Sequence, residues 1–113
     1  MKGNIVLVPF PFDDFSSVKV RPAVCLTGQT GKYNHLVVAF ISSRLPEEKT
    51  TSDIIIEPNE KNGLKTVSVL RLHKIATIPA SLIKRQLGQL SKQQIEIVNT
   101  KLTVLFNLTN TKL

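Results

Sequence analysis

Apolar residues fall in short runs along the first two-thirds of this chain and at helical spacing along the last third. Ile5–Val8, Ala23–Leu26, Leu36–Ile41, Asp53–Ile56, Thr66–Leu70 and Ile75–Ile78 are brief and rich in Val and Ile, a pattern that predicts β-strands. Turn formers separate them: Pro9 to Asp14, Gly28 to Asn34, Pro46 to Thr51 and Pro58 to Gly63. Asn62-Gly63 suits a tight turn that needs a positive φ. After these the period changes. Ser91 and Gln94 have the spacing of a capping box, and Ile95, Val98, Leu102, Leu105 and Phe106 form an amphipathic stripe that should pack on the sheet. A shorter helical turn is expected over Ala80–Arg85, with Gly88 breaking the chain before the final helix. The fold class is therefore mainly β: a small, partly closed antiparallel β-barrel with a C-terminal α-helix packed on it.

Composition narrows the class. A chain of 113 residues fits one domain, residues 1–113, and buries roughly 65% of its unfolded surface. Apolar residues at 42% and charged ones at 20% describe a globule and exclude a disordered chain. No run approaches the ~18 apolar residues of a membrane-crossing helix. The apolar start is too short for a signal peptide and is interrupted by Pro9 and Pro11, so a first strand and a cytoplasmic location are expected. Cys25, the lone cysteine, lies in an apolar run and reads as a core residue in a reducing compartment. The net charge of +7 is uneven: up to Glu60 six basic residues face seven acidic ones, and from Lys61 onward nine face only Glu96. Such a basic half favours an anionic partner, either nucleic acid or an acidic protein segment, although a solubilising surface has the same composition.

Three places carry candidate chemistry. Arg21 stands before Pro22 where a polar loop becomes an apolar strand; Pro22 biases it toward extended backbone, and its planar fork suits a phosphate. Ser42-Ser43-Arg44 puts two hydroxyls and a guanidinium where the Leu36–Ile41 strand emerges. On a strand of period two, Arg71 and His73 share a face, where together they could grip a phosphate and shuttle a proton. Taken singly, each also reads as a solvated strand end. His35, His73 and Cys25 lack metal-ligand spacing and there is no phosphate-binding glycine loop, so neither a metal nor a cofactor is expected.

The order of these pieces resembles the MazF/PemK toxins of bacterial toxin–antitoxin systems. The matching segments are Gly3–Val8, Arg21–Val24, Val37–Ser43, Gly63-Leu64, Val69–Arg71, Ile75–Ile78 and Ile83–Ser91, which span nearly the whole chain; Pro9-Phe10-Pro11-Phe12 resembles the PemK-like branch. The resemblance implies an SH3-like barrel acting as a homodimer. It also implies metal-independent cleavage of single-stranded RNA at short sequences, to 2′,3′-cyclic phosphate and 5′-hydroxyl ends, and inhibition by a cognate antitoxin with an acidic flexible segment. On this reading the family's strand-initial arginine falls on Arg21 and its catalytic threonine on Ser42, keeping the hydroxyl. The later-strand arginine falls on Arg71, and His73 stands where a PemK-type relative has an aspartate. Lys19, Ser43, Arg44, Phe12 and Tyr33 are the candidate RNA-binding residues; Phe10, Phe12 or Phe15 in the first loop could provide a stacking face, or equally cover the barrel end or dimer seam. Two other readings remain on the same barrel: a protein-targeting poison of the CcdB type, and an inactive RNA-binding relative.

Overall fold

Six strands, one 3-10 turn and one α-helix make up residues 2–9 and 19–108, the part of the chain described by the computed structural model. The strands are β1 (Asn4–Pro9), β2 (Val20–Cys25), β3 (His35–Ser42), β4 (Asp53–Ile56), β5 (Ser68–Pro79) and β6 (Arg85–Gln89), and the helix is α1 (Lys92–Leu105). They build one antiparallel sheet in the order β4-β5-β3-β2-β1-β6. Although β4 and β6 are the outermost strands, the loop leaving β4 reaches β6, where the Gln89 N–H donates to the Lys61 carbonyl at 2.9 Å. The sheet is thus a curled half-barrel whose seam is closed by a loop, as the expected partly closed barrel requires.

That seam depends on one buried amide. The Asn62 side chain is fully buried; its Oδ1 accepts from the Asn59 and Leu64 N–H groups at 3.1 and 3.0 Å, and its Nδ2 donates to the Glu57 carbonyl at 2.8 Å. Gly63 has the expected positive φ, +71°, and any Cβ there would run into the Leu87 carbonyl. Gly88, expected to break the chain, lies instead inside β6, where its missing side chain lets the strand press against Lys61 and Asn62.

Both faces of the sheet are apolar, which is why the strand sequences run without alternation. Ile5, Val24, Ala39, Ile41, Ile54, Ile56, Leu70 and Leu72 fill the face covered by α1 through Val98, Ile95 and Leu102. Val6, Val8, Ala23, Cys25, Leu36, Val38 and Ile78 fill the other, with Phe40, Leu82 and Ile83 packed against it. Full burial of each such aliphatic side chain stabilises the fold by about 1.5–3 kcal/mol. The capping box of α1 is present: Ser91 Oγ accepts from the Gln94 N–H at 3.1 Å, and the Ser91 N–H donates to Gln94 Oε1 at 2.9 Å. Leu105 and Phe106, expected in the packed stripe, are exposed at its end.

Three further sequence expectations are corrected. The separate strands Thr66–Leu70 and Ile75–Ile78 are one bent strand, β5, whose register on β3 jumps from Phe40↔Arg71 to Ala39↔Ile75. The turn after it is helical only over Ala80–Leu82. The chain then enters β6, unannounced by a sequence whose only large apolar residue is Leu87. Among the described residues no helix is long and apolar enough to cross a membrane.

Candidate active site

Strand pairing brings the candidate residues together. Arg21 pairs with Val8 on one side. On the other, the β2–β3 register runs through Cys25↔Val38, Val24↔Ala39 and Ala23↔Phe40, and continuing it two residues sets Arg21 opposite Ser42. Ser42 in turn pairs with Val69, and Phe40 with Arg71, which pairs with Asp53. Directly opposed side chains share a face with Cβ atoms ~5 Å apart. Arg21, Phe40, Ser42 and Arg71 therefore occupy one patch across three strands. They line a cleft of about 530 Å³ together with Ser43, Arg44, Glu47 and Lys74.

Each of these groups is held differently. Arg21 is exposed on rigid extended backbone at the start of β2. Ser42 Oγ accepts from the Arg44 N–H at 3.0 Å, a local turn that folds Ser43 and Arg44 back over the strand end. Arg71 is fixed by an ion pair: its Nε donates to Asp53 Oδ1 at 3.0 Å and its Nη2 to Oδ2 at 3.3 Å, with the Asp53 side chain wholly buried. The Thr50 N–H adds a third donor at 2.8 Å. Burial alone would raise the Asp53 pKa, but the hydrogen bonds and charge of Arg71, with Thr50, outweigh it and hold the carboxyl below its ordinary range.

A lowered folded-state pKa means the unfolded chain binds this proton first, so the pair stabilises the fold at neutral pH and the contribution is lost as pH falls below about 4. Asp53→Asn is accordingly expected to cost about 1.5–3 kcal/mol at pH 7, the range for hydrogen bonds to charged groups. The gap to wild type should narrow in acid, as followed by thermal unfolding between pH 7 and 3. A gap that stays constant or widens in acid would contradict the assignment.

His73 does not join Arg71 in the cleft. Leu72, His73 and Lys74 bulge out of the β3–β5 ladder, so Lys74 takes a place in the lining while the His73 ring is exposed with Nδ1 2.8 Å from Ser52 Oγ. Tyr33 is exposed in the turn before β3, next to Lys32 and edge-on to His35. Ser42 lies seven strand steps beyond His35, roughly 23 Å at 3.3 Å per residue. Lys19 is exposed just ahead of β2 and outside the cleft lining, and Phe10, Phe12 and Phe15 lie outside the described residues.

Sequence reasoning missed Phe40, Glu47 and Lys74. Only Glu47 had a signal: it sits five residues beyond Ser42 in a loop that turns back at once. Cys25 is buried as expected, and burial pushes its thiol pKa up, away from nucleophilic use. Among the described residues no three His, Cys, Asp or Glu side chains gather into a metal-binding group.

Comparison with known proteins bears on this arrangement. Residues 1–106 match the family described as PemK-like, MazF-like toxin of type II toxin-antitoxin system. Comparison with curated protein sequences finds no match. Among solved structures the chain is similar to the Mycobacterium tuberculosis toxin MazF-mt6, with 22% identity, TM-score 0.73, and coverage of 94% of this chain and 98% of that one. It is also similar to an endoribonuclease in complex with its cognate antitoxin from a mycobacterial species, with 12% identity, TM-score 0.71 and 96% of each chain covered. A further endoribonuclease from a mycobacterial species is 11% identical with TM-score 0.66, over 95% of this chain and 90% of that one. At these identities the structural likeness speaks for the fold.

Proposed function

Because the chain belongs to the PemK-like, MazF-like toxins of type II toxin–antitoxin systems, we propose that it is an endoribonuclease that cuts single-stranded RNA in the cleft of Arg21 and Ser42 without a metal. The observation that carries this reading is that the Arg21 fork and the Ser42 hydroxyl line one cleft at one end of the sheet, among four cations of the described residues. A phosphodiester is the ligand such a set suits.

In the proposed reaction Ser42 orients the scissile phosphate, and Arg21 donates to its non-bridging oxygens as the phosphorane gathers charge. The RNA 2′-oxygen forms a bond to phosphorus and gives up its proton, and the P–O5′ bond breaks. The departing 5′-oxygen takes a proton from Lys74. The products are a 2′,3′-cyclic phosphate and a 5′-hydroxyl. Among the described residues that line the cleft, Glu47 is the one carboxylate, so it is assigned as acceptor of the 2′-proton. Arg71, pinned by Asp53, adds fixed positive charge beside Phe40. Glu47→Gln is expected to lower kcat at least ~10²-fold, and an unchanged kcat would remove it from that role.

The basic half of the chain, from Lys61 on, suits two anionic partners: the RNA, and a cognate antitoxin that binds through an acidic flexible segment. We assign the working unit as a homodimer. The direct test is incubation of a long mixed-sequence single-stranded RNA with the protein in EDTA, read by primer extension. Discrete stops are expected; intact RNA across varied sequences would overturn the proposal.

A further inference from the structure

We propose that the open end of the barrel beside Arg21 is a second phosphate subsite, holding a flanking phosphate of the RNA strand whose scissile linkage lies in the main cleft. This rests on the nuclease reading above. A separate concavity of about 260 Å³ opens there, and its lining includes Arg21, Ser43, Lys65 and Arg85 around a floor of Leu7 and Leu87. Arg21 and Ser43 line both this concavity and the cleft, so one strand of RNA can pass from one to the other over the rim.

The charge is one-sided. Among the described residues that line it, three are cationic and none is acidic. They line one concavity of about 260 Å³, where a polyanion relieves the repulsion between them. Neither Lys65 nor Arg85 forms an ion pair among the described residues. The two are also held in place relative to each other. Lys65 follows the turn that Asn62 and Gly63 clamp onto β6, and Arg85 opens β6 itself. Arg85 pairs with Leu7, and Leu7 with Pro22, which puts the Arg85 backbone two strand spacings, roughly 10 Å, from the residue that follows Arg21. A surface that only aided solubility would need no such bracing.

The test uses a fluorescent 2′-O-methyl 12-mer, which binds but has no free 2′-hydroxyl to attack, with the dissociation constant read by anisotropy across a salt series. Lys65→Ala/Arg85→Ala is expected to weaken binding about tenfold and to flatten the slope of log Kd against log salt by roughly 0.7–1.4, the release of counterions from one or two phosphates. Arg85→Lys in the Lys65 wild-type background should keep most of the slope. Lys2→Ala/Lys92→Ala removes equal charge from the helix side and should leave the slope unchanged. A double variant with the wild-type slope overturns the subsite. So does loss of binding to a poly-glutamate 12-mer with oligonucleotide binding intact, which would give the concavity to an acidic protein segment. Cleavage of ordinary RNA by the wild type separates the two claims. Cutting with no slope change sinks the subsite alone, a slope change without cutting sinks the nuclease reading alone, and neither binding nor cutting sinks both.

Discussion

Arg21→Ala is expected to reduce RNA cleavage ~10²–10³-fold, about 2.7–4 kcal/mol of transition-state stabilisation, while shifting stability by no more than ~1 kcal/mol. The first figure is typical for losing one preorganised donor aimed at developing charge. The second follows because the Arg21 side chain is exposed at the end of β2, outside both apolar clusters. Arg21→Lys keeps the charge but not the fork, and should fall between wild type and alanine. Turnover on a defined single-stranded substrate, with a thermal melt of each variant, decides the matter. Equal activity in wild type and Arg21→Ala would move the chemistry elsewhere on the molecule.

Asn62→Ala is expected to be the most damaging single change to the fold outside the apolar clusters. It strips partners from two backbone N–H groups and one carbonyl at a fully buried side chain. Stranded buried groups cost ~1–3 kcal/mol each, and with partial access to water the total is about 3 kcal/mol. For a domain of this size that lowers Tm by roughly 10–15 °C. Asn62→Asp separates the roles: it keeps the acceptor for Asn59 and Leu64 but sets a carboxylate oxygen against the Glu57 carbonyl, so an intermediate loss is expected. A melt within 1 kcal/mol of wild type for Asn62→Ala would show that the seam closes without it. Because the same turn positions Lys65 beside β6, a loosened seam should also weaken RNA binding before global unfolding.

Much of this was legible in the residues. Val- and Ile-rich runs between turn formers marked the strands, and Ser91 with Gln94 marked the start of α1. Arg21 and Ser42 were each visible as polar groups at strand ends; that they line one cleft is a matter of register, which no local pattern encodes. The expected pairing of Arg71 with His73 failed for a related reason. Period-two reasoning assumes an unbroken ladder, and the bulge over Leu72–Lys74 sends His73 to Ser52 and Lys74 to the cleft. β6 escaped notice because an edge strand packed partly against a loop needs few apolar residues, and Gly88 imitated a break. The Asp53–Arg71 pair joins residues eighteen positions apart, and along the sequence Asp53 stood only as the first residue of an expected strand.

The termini of the cut RNA test the central claim most directly, since only attack by the neighbouring 2′-oxygen leaves a cyclic phosphate. Mass spectrometry of fragments released in EDTA is predicted to find 2′,3′-cyclic phosphate and 5′-hydroxyl ends at every cut. Fragments carrying 3′-hydroxyl and 5′-phosphate ends would mean that water is the nucleophile, and would contradict a cleft that clasps the diester with Arg21 and Ser42 for internal attack.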